Sequence, residues 1–162
     1  MSRKEPVVVL TERPDAGPLR RFMDAFQHLF GKVVSLSVVT LLADHAGVTV
    51  TNAAADPGTA LSKTRTTVDF LDAGVDSVRV IVRGENSAAG SVVVHVYNTT
   101  QSASMASATV TNATEQTAES AWTVFTPAGG DEEIEVRVIG DGAFDPILYS
   151  VHLQMRTTQA RV

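Results

Sequence analysis

The chain has no cysteine among its 162 residues. Disulfides, thiolate metal sites and a cysteine nucleophile are excluded together. Aromatic side chains are also few, with six Phe, two Tyr and one Trp. A groove that holds a sugar between two catalytic carboxylates is poorly supplied by that set. Acidic residues outnumber basic ones by 18 to 13, for a formal net charge of −5. No basic cluster offers a surface that could track phosphates, so nucleic acid is not an expected partner. Long apolar runs are missing as well. The longest, KVVSLSVVTLLADHAG from Lys32, is broken by Ser35, Ser37 and Thr40 and is too short to span a bilayer. At the N-terminus the apolar run Val7–Leu10 is followed at once by Thr-Glu-Arg-Pro, which is not the pattern of a signal peptide. Synthesis in the cytoplasm and no membrane partner are expected.

Motifs that carry chemistry are missing too. There is no Gly-X-Ser-X-Gly elbow. The four histidines, His28, His45, His95 and His152, show no i, i+2 or i, i+4 metal spacing. GDGAFDP from Gly140 joins two strand-like segments and opens no helix, so it is no phosphate loop. Acidic residues gather around it, and Asp141 and Asp145 are the positions where calcium could be held. Turn chemistry competes with that reading, because Asp bonds its own backbone in turns and no Asp-X-Asp-X-Asp-Gly loop is present. No enzyme and no cofactor are expected.

What is present points to β structure. Hydrophobic residues make up 44% of the chain and charged residues 19%, a globular profile. Val and Thr are prominent, and β-branched side chains fit a pleated sheet. One segment reads as a helix: PLRRFMDAFQHLF from Pro18, with Leu19, Phe22, Phe26, Leu29 and Phe30 on one face and Gly31 as its cap. Before it, residues 1–17 read as an extended arm bracketed by Pro6 and Pro14. Strands are expected over 32–42, 48–53, 65–71, 76–84, 91–98, 107–113, 120–127, 132–139 and 147–157. In the first, Val34, Leu36 and Val38 alternate with serines. In the fourth, Val78, Val80 and Val82 point inward, with Arg79 and Arg83 outward. The Ser/Thr/Ala-rich stretch 99–119 reads as an exposed loop or a long edge hairpin.

Short strands at even spacing with turn-rich joints define the expected fold class. It is all-β: an antiparallel, jelly-roll-like sandwich of about eight or nine strands over residues 32–162, preceded by an arm and one short amphipathic helix over residues 1–31. The lone Trp122 is expected in the core, as a single Trp in a β domain usually is. The alternative is that Trp122 and Tyr97 stack on a sugar.

One resemblance goes further than composition. TRTTVDFLDAGVDSVRVIVRG, then GSVVVHVYNTT, then WTVFTPAGGDEEIEVRVIGDGAFDPILYSVHLQMR resembles a family of small β-sandwich structural proteins of tailed bacteriophages. It spans residues 64–157 and departs at NTTQSASMAS, where relatives continue into an Asp-Gly turn. The resemblance implies a non-enzymatic virion protein, a head decoration or tail-associated module located in the particle. It implies partners in the major capsid or tail protein and in further copies of itself, with a trimer favoured. The apolar arm, Val7, Val8, Val9 and Leu10, could add a strand to a neighbour's sheet edge, and Phe22, Phe26 and Phe30 of the helix either pack on the domain's own core or seat that same contact. The alternative function is a carbohydrate- or host-surface-binding sandwich module.

Overall fold

The computed structural model describes residues 32–51, 57–86, 90–111, 113–140 and 145–160. The expected arm and helix, with Val7 to Leu10, Phe22, Phe26 and Phe30, lie outside the described residues. Contacts divide the chain into a body of residues 35–157 and a smaller unit of 1–34 with 158–162.

Nine strands are described: β1 Lys32–Thr49, β2 Thr59–Asp69, β3 Ser77–Asn86, β4 Val92–Asn98, β5 Ala103–Val110, β6 Gln116–Glu119, β7 Thr123–Val124, β8 Asp131–Ile139 and β9 Pro146–Ala160. One sheet runs β1-β9-β3-β6, with β7 pairing β3 beyond β6, and the other runs β2-β8-β4-β5. The pairings of β2 with β8, of β4 with β5 and β8, and of β3 with β6, β7 and β9 are all antiparallel. Only β4 and β5 are consecutive sheet neighbours joined as a simple hairpin. Most other connections pass from one sheet to the other.

Alternation makes the core. Val78, Val80 and Val82 of β3, Val92, Val94 and Val96 of β4, and Ile134, Val136 and Val138 of β8 are buried, and Val151 and Leu153 of β9 join them. Each strand turns every second side chain towards the opposite sheet. The two inner faces meet as a layer made mostly of Val. Phe70 closes one end, fully buried and edge-on to Phe125 at 4.9 Å between ring centroids.

Several expectations are corrected. The segments 32–42 and 48–53 form one strand through Thr49, not two. Gly47 carries the chain through the expected break with a φ of +78° and lies so close to Ile147 and Tyr149 that a side chain there would collide with both. In the same strand Leu36 and Val38 are 65% and 53% exposed, and burial begins at Leu41 and Leu42. Alternation marks which face is apolar, but only an opposing layer buries it. β2 begins at Thr59, six residues before the strand expected over 65–71. The stretch 99–119 holds two edge strands, β5 and β6.

Candidate functional site

Trp122 is not in the core. It is half-buried in the short link between β6 and β7. The link is short because β6 and β7 pair with successive parts of β3, Ile81–Gly84 and Ser77–Val78. Between them Ser120 holds on to Val80: its N–H donates to the Val80 carbonyl, and its Oγ accepts from the Val80 N–H. The two apolar neighbours on the inner side, Ala118 and Phe125, pack against the core. Val124 stands outward opposite Ser77, and Trp122, two residues before it, takes the same outer face of the sheet.

The indole meets side chains from two strands. It starts from the β6–β7 side, yet both the Arg79 guanidinium of β3 and the Arg156 guanidinium of β9 sit against its ring, at 5.0 Å and 5.1 Å from the ring centroid. β3 separates β7 from β9 in the sheet, and the Arg156 side chain reaches over β3, where its Nε donates to Ser77 Oγ. Cations at that distance from an indole are attracted by the ring quadrupole.

Both arginines are held in position. Arg79 donates from Nε to Gln154 Oε1 at 2.7 Å, and its Nη1 lies 2.9 Å from Glu119 Oε2. Arg156 donates from Nε to Ser77 Oγ at 2.8 Å and lies 3.7 Å from Asp76 Oδ1. The register places Arg79 opposite Gln154 and Ser77 opposite Arg156, so these groups belong to two adjacent rows of one face. Val124, opposite Ser77, is 83% exposed and adds an apolar rim. Further along the strip His152 Nδ1 lies 3.1 Å from Thr40 Oγ1, and Arg83 lies over the Tyr149 ring and pairs with Glu115. The Tyr149 hydroxyl donates to Glu85, and that bond, together with burial, raises its pKa above the ordinary phenol value. The result is an aromatic surface ringed by fixed donors and acceptors.

Tyr97 belongs elsewhere. It lies on β4 in the other sheet, half-buried, with the Arg137 guanidinium 4.0 Å from its ring centroid. Val94 and Val96 point inward, so Tyr97 faces away from the core on the sandwich's second side. Trp122 and Tyr97, paired by the sequence as glycan contacts, cannot serve one site. Beside Tyr97 the fully buried Glu135 accepts from Arg65 Nη2 and Arg137 Nη2, both at 2.7 Å. Burial pushes the Glu135 carboxyl up, but its hydrogen bonds to the two guanidiniums and their charge outweigh this and hold it below the ordinary carboxylate value. His95, also outward by parity, is covered: Nε2 donates to the Pro57 carbonyl at 3.0 Å, and Nδ1 accepts from Ser104 Oγ at 3.0 Å in that tautomer.

Two residues were missed by sequence reasoning. Glu132, the first residue of the strand expected over 132–139, was given no part, yet it is fully buried. It shares the parity of Ile134, Val136 and Val138, and that signal was available. The second is Arg156, whose part in the platform follows only from the β3–β9 register. Of the calcium positions, Asp141 lies outside the described residues and Asp145 is half-buried just before β9. Among the described residues no three His, Asp or Glu side chains come together as a metal site.

No family model matches the sequence, and no curated protein does. Several solved structures are similar to the chain over most of its length. A carbohydrate-binding module CBM36 in complex with calcium and xylotriose is 17% identical and covers 72% of this chain and 97% of its own, with a TM-score of 0.47. The CBM36-1 domain of a multidomain xylanase from the hindgut metagenome of Trinervitermes trinervoides is 14% identical over 74% of this chain and 96% of its own, with a TM-score of 0.46. A family two carbohydrate esterase from Cellvibrio japonicus is 15% identical over 80% of this chain and 37% of its own, with a TM-score of 0.30. Two of the three are carbohydrate-binding modules and none is a virion protein, which overturns the expectation of a phage capsid or tail component. That expectation rested on strand and turn residues, which Val-rich sandwiches of unrelated function share.

Proposed function

We propose that the chain is a carbohydrate-binding β-sandwich module that adheres to a glycan and performs no covalent chemistry on it. One observation carries this reading: the single Trp lies on an outer sheet face, spread over two guanidiniums, instead of filling the core. A half-exposed indole offers a sugar ring an apolar surface. Gln154, Glu119, Asp76 and the two arginines supply donors and acceptors around it, already positioned by their bonds to one another. Pre-positioned groups lose little freedom when a ligand arrives. The two carboxylates here are each paired with an arginine, which suits adhesion better than glycoside hydrolysis.

Because Trp122 is the only Trp, its fluorescence reports on this site alone. Titration with soluble polysaccharides should produce a saturable change in its emission. In affinity electrophoresis Trp122→Ala should lose about tenfold or more in affinity, a change of at least ~1.4 kcal/mol. Unchanged emission together with unchanged mobility across a broad polysaccharide panel would overturn the reading.

A further inference from the structure

Resting on that glycan reading, we infer that Glu119 and Asp76 make the Trp122 face selective for uncharged glycans and reject those bearing carboxylates. Two cations flank the indole, and two cations beside an aromatic ring would ordinarily welcome a uronate. Each is already matched: Arg79 by Glu119 at 2.9 Å and Arg156 by Asp76 at 3.7 Å. The immediate surround of the ring is therefore charge-balanced, two against two.

A uronic acid stacked on Trp122 would have to draw a guanidinium away from its partner. It would exchange one ion pair for another and bring its own carboxylate close to Glu119 or Asp76. Like charges at that range repel. A neutral sugar needs no exchange. Its hydroxyls can donate to lone pairs of the carboxylates and accept N–H from the guanidiniums with both pairs intact. Glu119 and Asp76 have side chains 57% and 40% exposed, so they are open to a ligand in that position. Arg83 and Glu115 repeat the same matched pair further along the strip. The net charge of −5 adds a general repulsion towards polyanions. Glu119 and Asp76 thus act as specificity-determining residues, by penalising the wrong ligand as much as by holding the right one.

The test is affinity electrophoresis of the whole chain at low ionic strength, each lane compared with a polymer-free gel. The neutral polymers are soluble xylan, hydroxyethylcellulose and galactomannan, and the acidic one is polygalacturonate. The wild-type chain should be retarded by at least one neutral polymer and not by polygalacturonate. Glu119→Gln, at an exposed position, should gain polygalacturonate retardation, about a tenfold rise in affinity that disappears in ~0.5 M salt. Asp76→Asn should move the same way. Wild-type retardation by polygalacturonate as strong as by any neutral polymer would overturn the selectivity while leaving glycan binding in place. So would failure of both variants to gain it. Retardation by no polymer at all would overturn the glycan reading itself, and the selectivity with it.

Discussion

Trp122 and Glu132 are each out of place by type. An indole is expected inside and a carboxylate outside. The structure reverses both. Register explains the exchange: Trp122 falls in step with the outward Val124, which stands opposite Ser77, while Glu132 falls in step with the inward Ile134. At a single position strand register outranks side-chain preference when the side chain can find partners. Glycine gives a second example at this scale. Gly58 has a φ of +83°, and a Cβ there would sit 2.6 Å from the Val138 carbonyl oxygen. Backbone cannot move aside as a flexible side chain can. Gly58→Ala should therefore destabilise the fold by about 2 kcal/mol or more, read as a lower urea midpoint at unchanged slope.

At the scale of elements, Glu132 ties two connections to β8. Its Oε2 accepts from Asn98 Nδ2 and Gln101 Nε2, both at 2.6 Å, and its Oε1 accepts from the Ala128 N–H at 2.8 Å. Gln101 also donates to the Thr126 carbonyl. One carboxylate thus anchors both the β4–β5 turn and the connection from β7 to β8. Glu132→Ala would leave the buried Asn98 amide without its acceptor and release Gln101 and the Ala128 N–H, at a cost of about 1–3 kcal/mol. The Ala128 amide should then exchange with solvent faster than amides in the middle of β3 and β4. Equal slowing or equal acceleration of all these amides would show that the carboxylate holds the body as a whole and not these two connections. Asn98-Thr99-Thr100, which has the Asn-X-Thr pattern of a glycosylation acceptor, falls inside this network. With Asn98 fully buried and bonded to Glu132, its sequence marks a turn and not an accessible glycosylation site.

Over the whole molecule, acid stability should follow Glu135. Its folded pKa lies below the ordinary value, so the unfolded chain binds the proton more readily. The stabilisation is complete above the unfolded pKa, about 4.3, and is lost as pH falls through the lower folded value. Glu135→Gln should lose about 1–3 kcal/mol at neutral pH, since Arg65 and Arg137 each lose a charged acceptor. Below about pH 4.3 its stability should fall less steeply than that of the wild type, as measured by denaturant melts across pH. A variant whose acid limb runs parallel to the wild type would show that other carboxylates govern acid unfolding.

The all-β class, the inward row Val78, Val80 and Val82, and the outward Arg79 and Arg83 were legible in the sequence, because a period of two is a local property that needs no partner strand. The neighbours of each strand were not legible. β3 lies between β9 and the β6–β7 edge, and no local pattern encodes pairing between residues so far apart in the chain. That pairing alone brings Arg79, Arg156 and Trp122 to one place and sends Tyr97 to the opposite side of the sandwich. The sequence by itself determined which residues could face outward. The tertiary structure decided which outward residues share a face, because strand order and register are set by how two sheets close over one core.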